Sequence, residues 1–438
     1  MVQPVARPAR SLGLNEVNNL IFVSIAAYRD PQLVPTIEDC IGKARHPERL
    51  RFGICWQHDP EHDMLPFRND DCFRIIAIDW RESRGACWAR SEVMKLWRGE
   101  DWFLQVDSHC RFAWGWDAKL LEEMPQTESA KPILSTYASP FTPGGDEMLV
   151  DGPLQMAFQG FTDDGIPHMK PMAIANWQNL KRPVRARFLS AGFLFAQGTF
   201  VEEIGYDPEL YFLGEEAAMT LRAFTSGYDL FHPHETIVWH DYGRPAAPKH
   251  WGDHTEDKAG QAWHELDSKS KHKVRLLIAG QAVDSYGLGS VRSLQEYEAY
   301  AGVSFKLRKA QEYTVRCGEP PNPEVSADWA GQVFPWMVQI KFDRARLSTA
   351  AFEDAEFWYV GVQDEHQTEI YRQDIPQSQV AMLGNAEQMI SLVCEFESST
   401  IPASWTVWPV SRSEGWLKKI AGTLDDEDYT IVLEDDIE

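Results

Sequence analysis

Asp101-Trp-Phe-Leu-Gln-Val-Asp-Ser-His109 is an apolar run that ends in three polar residues. Such a run is typical of a strand buried on both faces, as in a parallel sheet, and it predicts that the strand ends at Asp107. Strand and helix patterns alternate on both sides of it, which predicts an α/β fold with a mostly parallel sheet. The other strands are predicted at Leu20–Ala26, Leu50–Trp56, Phe73–Ile78, Ile133–Tyr137, Phe188–Ala196 and Thr236–His240.

Helix patterns occupy the intervals between these strands. One helix is predicted to begin near Thr36, because Asp39 three residues later completes a weak capping box. Ser293 and Glu296 match the same motif better and predict a further helix. The interval 138–183 is long for one loop, so a hairpin or a mobile functional loop is expected there. The remaining helices are predicted at Ala89–Trp97 and Gly214–Thr225.

The composition limits the class of protein. The 438 residues carry a net charge of −24, from 42 basic and 66 acidic side chains. Such a charge argues against nucleic acid and against an anionic membrane surface as partners. No apolar stretch is long enough to span a membrane, and the first residues do not resemble a signal peptide, so a cytoplasmic location is expected. The seven cysteines form no CxxC pair, which predicts reduced, mostly buried thiols.

Changes in pattern along the chain predict four segments. Residues 1–19 form a leader rich in proline and arginine, and residues 20–310 form the α/β domain. After the proline-rich linker 318–323, short alternating strands over 325–424 predict a β-rich domain, for which a sandwich is one arrangement. Residues 425–438 form an acidic tail, to which no function is given.

Asp107 and His109 are the first candidate metal ligands. In open α/β sheets, ligands bind at the carboxyl ends of strands, and an aspartate and a histidine two residues apart in a turn can reach one ion. A carboxylate with an imidazole suits Mn²⁺. In the alternative interpretation, Asp107 caps a turn and His109 is exposed. His240 follows another short apolar strand and is the favoured third ligand among seven histidines between positions 232 and 272.

Carboxylates also gather at the start of a predicted helix. Glu215 and Glu216 follow Gly214, and the helix dipole alone could explain two acids at this position. In the functional interpretation, one of them turns inward towards a sugar hydroxyl or an acceptor group. Asp207 adds another carboxylate nearby in sequence. The residues themselves leave these two interpretations equal.

Two further motifs are candidates for nucleotide binding. Arg84, Gly85 and Arg90 place two arginines near a helix start, where they could engage a diphosphate. Tyr28-Arg29-Asp30 ends the first strand, where a base and ribose could dock. The structural alternatives are surface arginines and a simple turn before Pro31. The sequence has no GxGxxG after the first strand, no P-loop and no GxSxG motif.

Together these stretches resemble the GlcNAc-transferase family, glycosyltransferase family 60. They occur in the expected order over roughly residues 20–302, as an ordered set of individually weak motifs. The resemblance implies a GT-A fold, which is a Rossmann-like sheet that uses a nucleotide-sugar donor and a divalent metal. The stretches that carry it are 21–31, 84–90, 105–112, 190–193, 206–208, 214–216 and 238–240.

The resemblance also assigns roles. Asp107 and His109 would occupy the family's variant of the D-x-D motif. His240 would be the third ligand of a divalent metal, Mn²⁺ or alternatively Mg²⁺, by analogy with mucin-type GalNAc-transferases. The residues implied to bind the nucleotide sugar are Tyr28, Arg29, Asp30, Arg84, Gly85, Arg90, Asp107, Ser108 and Gly192. The residues implied to contact the donor sugar or the acceptor in catalysis are Glu215, Glu216 and Asp207.

The implied reaction is retaining transfer of a sugar, GlcNAc from UDP-GlcNAc, to a hydroxyl of a protein or glycan acceptor. The family's best-known members are cytoplasmic and modify a hydroxyproline, but no sequence feature here identifies that acceptor. The β-rich segment lies outside the resemblance. Binding the acceptor, forming a homo-oligomer and adding stability are three roles left open for it.

Two other classes of function are considered. The 17 tryptophans and the β-rich segment would also suit a non-catalytic carbohydrate- or protein-binding protein on a degenerate transferase scaffold. A metal-dependent hydrolase would act on phosphate esters without a nucleotide sugar. A panel of nucleotide sugars separates these hypotheses, because only the transferase predicts donor turnover.

Overall fold

The structure is a computed structural model that describes most of the chain. The predicted leader, except residue 19, and most of the acidic tail lie outside the described residues. These are 19–67, 70–144, 152–162, 164–244, 248–253, 263–281, 285–306, 308–323, 329–330, 334–384, 388–398, 400–425 and 427–431.

Strands and helices alternate through the first three hundred residues. The strands are β1 (Ile21–Tyr28), β2 (Leu50–His58), β3 (Phe73–Asp79), β4 (Trp102–Asp107), β5 (Cys110–Phe112), β6 (Pro132–Ser135), β7 (Ser139–Pro140), β8 (Leu154–Phe161), β9 (Pro167–Ala173), β10 (Val184–Arg185), β11 (Phe193–Gln197), β12 (Asp229–His232) and β13 (Val238–His240). The helices are α1 (Leu33–Lys43), α2 (Ala86–Met94), α3 (Trp116–Gln126), α4 (Phe200–Glu203), α5 (Glu215–Thr225), α6 (His250–Asp253), α7 (Trp263–Ile278) and α8 (Leu294–Ala301).

An eight-stranded sheet in the order β10-β12-β6-β11-β4-β1-β2-β3 forms the centre of this region. Strands β4, β1, β2 and β3 are mutually parallel, and β11 is antiparallel to both β4 and β6. Successive side chains of β1 enter different cores, because Phe22 packs in one buried cluster and Val23 in the other. The sheet is therefore covered on both faces, and the predicted α/β class with a mostly parallel sheet is confirmed.

Some local sequence predictions misplace the start of an element. The helix that was expected to begin near Thr36 begins at Leu33, so Thr36 lies inside it and does not cap it. The Thr36 hydroxyl instead donates to the carbonyls of Ser108 and Cys110, at 2.9 and 3.1 Å. A tertiary contact has replaced the cap. The strand predicted over 188–196 begins only at Phe193.

A small second sheet lies at the carboxyl end of β4. It has the order β5-β13-β7, and β13 runs antiparallel to β5. The register pairs His240 with Cys110, and the amide of Asp241 donates to the carbonyl of His109 at 3.0 Å. This ladder joins two segments that lie about 130 residues apart in sequence.

The interval 138–183 contains the expected hairpin, formed by β8 and β9. Residues 145–151 and 163 of this interval lie outside the description. The hairpin carries its own buried side chains, among them Met156 and Ile166, which pack into the core on one face of the central sheet. The β8–β9 hairpin within this interval therefore contributes to the core of the domain.

The C-terminal part of the chain is mostly β-structure. Its elements, with the short segments that lead to it, are β14 (Val303–Ser304), β15 (Lys309–Gln311), α9 (Glu312–Val315), β16 (Trp329–Ala330), β17 (Phe334–Asp343), α10 (Ala350–Glu353), β18 (Ala355–Gln363), β19 (Glu369–Pro376), α11 (Gln377–Leu383), β20 (Met389–Ser398), β21 (Ser404–Ser411), β22 (Gly415–Trp416), β23 (Ile420–Thr423) and β24 (Tyr429–Ile431).

Two antiparallel sheets, β20-β17-β24 and β19-β18-β21-β22 with β23 beside β21, share one buried core. Alternate residues of β20 are buried, as expected for a strand with one face on a core and one in solvent. Trp358 fills the centre of that core and donates from Nε1 to the carbonyl of Ala351 at 2.6 Å. The arrangement is a sandwich that also holds two short helices. The exact domain boundaries stay predictions.

Two features relate to the sequence predictions: the state of the cysteines and the length of the apolar helices. None of the seven cysteines, all of which lie in the described ranges, forms a disulfide, and five of them are buried. No helix within the described ranges combines the length and the apolar character that crossing a bilayer requires.

Replacing Gly85 by alanine is expected to destabilise the protein by about 1–3 kcal/mol. Gly85 precedes α2 with φ 103° and ψ 177°, a conformation that only glycine adopts readily. An added Cβ would also lie 2.8 Å from Tyr211 Cδ2. Urea unfolding measures the change. Gly42→Ala is the control, because Gly42 lies within α1 with open space around it and its replacement should stabilise by about 0.5–1 kcal/mol. Equal effects of the two substitutions would contradict this account.

Candidate active site

The turn after β4 brings the first two candidate ligands to the carboxyl edge of the central sheet. β4 lies inside the sheet between β1 and β11, so Asp107 emerges beside the ends of its neighbours. Ser108 and His109 follow, and β5 then begins at Cys110. The Thr36 hydroxyl bonds the carbonyls on either side of His109, which fixes the turn against α1.

The pairing of β13 with β5 supplies the third candidate. It places the His240 ring against the His109 ring, with centroids 4.4 Å apart. His240 Nε2 lies 3.1 Å from Asp107 Oδ2. One ligand atom from each of the three residues falls within 4.8 Å of the others. The structure thus brings together the three residues that the sequence nominated from distant positions.

The donor set of this cluster fits a divalent metal. It offers one carboxylate oxygen and two imidazole nitrogens, a combination typical of transition metals. Burial opposes ionisation of Asp107, but the hydrogen bond from His240 and the charge of Arg90 outweigh it and hold the pKa of Asp107 below its usual range. Burial lowers the pKa of His109. A charged carboxylate beside a neutral imidazole is the state that binds a cation.

Asp30 contacts this cluster through His109. Its carboxylate is almost completely buried, and Oδ2 lies 2.7 Å from His109 Nδ1. The same oxygen accepts from the hydroxyl of Ser108 and from Arg244, each at 2.7 Å. A carboxylate on Nδ1 fixes the tautomer that leaves Nε2 of the histidine available to a metal. In the structure Asp30 and Ser108 therefore orient His109.

Arg90 links the cluster to helix α5. It is buried, and its guanidinium pairs with Asp107 Oδ1 at 2.8 Å and with Glu215 Oε1. Burial works against the charge of Arg90, yet the pKa of Arg90 is raised because Glu215 and other acids surround it. Asp107 and Glu215 thus share the positive charge of Arg90, and its guanidinium is occupied by these two partners.

Glu215 and Glu216 point to different partners. Glu215 pairs with Arg90, whereas Glu216 accepts from the hydroxyl of Tyr137 at 2.7 Å and from the amide of Ala191 at 3.0 Å. Burial raises the pKa of Glu216 to about 7. Ala191 precedes Gly192, where an added Cβ would lie 3.2 Å from Asp107 Oδ2. Gly192 therefore lies against Asp107, and Glu216 binds the amide of the residue before it.

The other predicted residues lie around this centre. Tyr28 and Arg29 both contact Asp253 on α6, at 3.0 and 2.8 Å, so they hold that helix against the end of β1. Arg84 is exposed, with its guanidinium 5.8 Å from the Trp88 ring centroid. Asp207 pairs with Lys273 on α7 at 2.7 Å, and none of its contacts within the described residues reaches the metal cluster.

Three residues of this centre were not predicted from the sequence. Arg244 binds Asp30, Tyr137 binds Glu216, and the Tyr242 ring lies 4.2 Å from that of His240. Tyr242 stands two residues after His240, so proximity in sequence could have suggested it. Arg244 and Tyr137 carried no comparable signal, because each reaches the site through a loop whose path depends on the fold.

As pH rises from about 4.5 to about 7, the free energy of unfolding is expected to change differently in the protein and in the Glu216→Gln variant. It should fall by about 2 kcal/mol more in the protein than in the variant. The pKa of Glu216 is higher in the folded protein than in the unfolded chain. The folded state therefore binds the extra proton, and this contribution is present at low pH and lost as pH rises through 7. Urea midpoints of both proteins at pH 4.5, 6 and 8 measure it. Parallel curves for the two proteins would contradict the expectation.

Comparison with known proteins gives one family match and several structures with a similar fold. A family model described as Glycosyltransferase (GlcNAc) matches residues 20–67 and 60–307. A structure of GalNAc-T7 with UDP, GalNAc and Mn²⁺ aligns with a TM-score of 0.42 and 17% identity, over 65% of this chain and 54% of that chain. Staphylococcus aureus TarS in complex with UDP-GlcNAc aligns at 0.36 and 12% identity, over 59% and 72%. No curated protein sequence matches the chain.

The family match extends over more than half of the chain and includes the β4 turn, α5 and β13. It identifies the class of protein as a glycosyltransferase. More particularly, the chain belongs to the GlcNAc glycosyltransferase family, as the sequence motifs predicted. The chain spans about half the length of the GalNAc-T7 structure with which it aligns.

Proposed function

We propose that the protein is a metal-dependent retaining glycosyltransferase that transfers GlcNAc from UDP-GlcNAc to a hydroxyl of a protein or glycan. The observation that carries the proposal is the convergence of Asp107, His109 and His240 at the carboxyl edge of the sheet. Membership of the GlcNAc glycosyltransferase family supports the type of reaction. A cytoplasmic location is part of the proposal, and seven cysteines without a disulfide agree with it.

Asp107, His109 and His240 would hold the metal. When bound, the metal would supply positive charge to the diphosphate of the UDP leaving group. Mn²⁺ is favoured over Mg²⁺, because two of the three donors are imidazole nitrogens and Mg²⁺ prefers oxygen. Asp30 would keep the His109 ring in the ligating orientation through its bond to Nδ1.

Of the predicted catalytic carboxylates, Glu216 is the strongest candidate for contact with the donor sugar or the acceptor. Glu215 is occupied by Arg90, and Asp207 by Lys273. Glu216 instead lies beside Tyr137 and next to the Ala191–Gly192 turn near Asp107. With a pKa of about 7, its carboxyl could either donate or accept a proton at neutral pH.

A panel of nucleotide sugars tests the proposal. Purified protein is incubated with UDP-GlcNAc, UDP-GalNAc, UDP-glucose and GDP-mannose, each with Mn²⁺, with Mg²⁺ or with EDTA, and the released nucleotide is measured. We expect hydrolysis of UDP-GlcNAc with Mn²⁺, and a first-formed α anomer in the proton NMR spectrum of the released sugar. Asp107→Asn should abolish turnover, while Asp101→Asn, at the other end of β4, should not.

Each result has a defined meaning. Turnover that is equal in EDTA would contradict metal dependence, and a first-formed β anomer would contradict retention. Preference for another donor would contradict the GlcNAc assignment while leaving the transferase intact. Binding of glycans on an array without hydrolysis of any donor would favour the non-catalytic alternative.

A further inference from the structure

The three-stranded sheet of the sandwich, β20-β17-β24, ends on one side in β20. β20 has ten residues, and its ladder with β17 runs through ten residue pairs without a bulge. Among the described residues, no strand pairs with its other edge. An open edge of this length leaves a row of backbone N–H and C=O groups unpaired, and natural proteins usually protect such an edge.

The other edges of the sandwich, within the described ranges, have this protection. β24 has only three residues, and β22 and β23 have two and four. β19 has a bulge in its pairing with β18 and carries Arg372, Asp374 and Pro376. Short length, charge, proline and bulges all keep edge strands from pairing. β20 contains no lysine, no proline and no bulge, so its edge is the exception.

Hydrogen bonds of the neighbouring chain show which backbone groups of β20 face its open edge. The amide of Gln339 donates to Asp428 on the β24 side at 2.7 Å, whereas that of Arg344 donates to Gln388 on the β20 side at 2.8 Å. Successive residues of a strand turn their backbone groups to opposite edges, so the even-numbered residues of β17 and β20 pair with each other. The residues that turn their backbone groups to the open edge are Met389, Ser391, Val393, Glu395 and Glu397.

The side chains of these five residues are exposed on the solvent face of the sheet. Met389 is 55% exposed and Val393 is 53% exposed, which leaves apolar surface beside the open edge. The alternate side chains, such as Ile390 and Phe396, are buried in the core of the sandwich. A further strand at this edge would therefore extend the sheet and leave the core unchanged.

We propose that this edge binds the same edge of a second copy of the chain, as an antiparallel strand pair about a two-fold axis at Val393. Val393 then faces Val393 of the second copy. Ser391 faces Glu395 of the second copy, and Met389 likewise faces Glu397. Each facing pair exchanges two backbone hydrogen bonds, which gives about ten across the axis. The two sheets become one sheet of six strands, and a two-fold contact of this kind closes after two copies.

The charges on β20 favour this register. Glu395 and Glu397 lie at one end of the strand, so antiparallel pairing about Val393 sets each of them against a neutral residue. An axis at Glu395 would set two glutamates against each other, and like charges directly opposite destabilise a strand pair. Lys341 is the cross-strand neighbour of Ser391, so its backbone would lie two strands, or about 10 Å, from Glu395 of the second copy. The edge is thus complementary to itself in both hydrogen bonding and charge.

The test measures the mass of the full chain by analytical ultracentrifugation from about 1 to about 100 µM. We expect a reversible dimer. Val393→Lys should weaken it about tenfold or more, because the substitution sets two ammonium groups against each other at the axis. Val393→Thr keeps a β-branched, uncharged side chain and should leave the dimer nearly unchanged. Urea midpoints of both variants check that the chain still folds.

Substitutions at Ser391 test the register. Ser391 faces Glu395 of the second copy on both sides of the axis, so Ser391→Glu should weaken the dimer about tenfold. Ser391→Lys should strengthen it about three- to tenfold for the same reason. Both variants lose the hydroxyl that accepts from Gln339 at 3.2 Å, so this loss does not account for a difference between them.

A cross-link reports the geometry directly. Facing Cα atoms of a hydrogen-bonded pair lie about 5.5 Å apart, within the range of a disulfide. Val393→Cys should therefore give a disulfide-linked dimer under mild oxidation. Met389→Cys should not, because its two copies would lie about 27 Å apart. The natural protein is the control for its own partly exposed thiols, Cys72 and Cys317.

Four results would overturn the proposal. One is a monomer over the whole concentration range, which would mean that a different protein or another segment of this chain covers β20. Another is a dimer that does not respond to Val393→Lys, which would place the interface elsewhere. The others are shifts of the same sign for the two Ser391 variants, and equal cross-linking at Val393 and Met389. The nucleotide-sugar panel tests the transferase separately, because β20 contributes no residue to the proposed active site.

Discussion

Asp107→Ala is expected to weaken Mn²⁺-dependent UDP binding by about 100-fold or more, and to abolish donor turnover. Asp107 supplies the only carboxylate oxygen of the cluster, and its removal leaves two imidazoles that bind a divalent cation far less well. The carboxylate is also the only charged ligand, so its loss removes the attraction between the site and the ion. Isothermal titration of UDP with and without Mn²⁺ measures the change.

Two matched variants separate charge from folding. Asp107→Asn keeps the shape of the side chain but removes the charge and one of the two acceptor oxygens, and it should behave nearly like alanine. Asp101→Asn lies at the opposite end of the same strand, where the carboxylate accepts from the Leu20 amide, and it should bind UDP normally. If Asp107→Ala binds UDP with Mn²⁺ as tightly as the natural protein, the site does not hold the donor's metal.

Arg90→Met is expected to destabilise the protein by about 3–5 kcal/mol and to reduce donor turnover. Removal of the guanidinium leaves Glu215, which is 3% exposed, as a buried charge without its cation. It also frees Asp107 to change orientation, since Arg90 holds Oδ1 at 2.8 Å. Urea unfolding followed by tryptophan fluorescence measures the loss, and the Mn²⁺ dependence of UDP binding reports on Asp107.

A double-mutant comparison identifies the cause. Arg90→Met combined with Glu215→Gln should be more stable than Arg90→Met alone, because the second change removes the stranded charge. Arg84 lies six residues earlier, just before α2 begins, and is exposed, so Arg84→Met should change stability by less than about 0.5 kcal/mol. A cost for Arg90→Met no larger than that for Arg84→Met would contradict a buried ion network.

Local pattern was sufficient for most of the fold. The runs Leu50–Trp56 and Phe73–Ile78 are rich in apolar residues, and both form strands within two residues of the predicted ends. The first strand is buried, whereas the second lies at the edge of the sheet and is only half-buried. The capping box at Ser293 and Glu296 forms as predicted, because its hydrogen bonds are made within one turn of chain. Short-range interactions of this kind depend little on the rest of the molecule.

Patterns that depend on a distant partner were less informative. Thr36 matched a cap but lies inside α1, where its hydroxyl instead bonds the carbonyls of Ser108 and Cys110 in the turn after β4. Asp30 was assigned to the nucleotide because it ends a strand, yet its carboxylate supports His109. Nothing in the residues around Asp30 indicates a partner 79 positions away.

The sequence by itself determined the α/β class, the β-rich end and the choice of Asp107, His109 and His240 as candidate ligands. Strand periodicity and the chemistry of a ligand can both be recognised from residues that are close together in sequence. Only the tertiary structure decided how these residues act together. The β5–β13 ladder sets His240 beside His109, and Arg90 pairs with two carboxylates. Glu215 and Glu216, adjacent in sequence, bind different partners. Contacts between segments far apart in sequence depend on sheet register and burial, which exist only once the chain has folded.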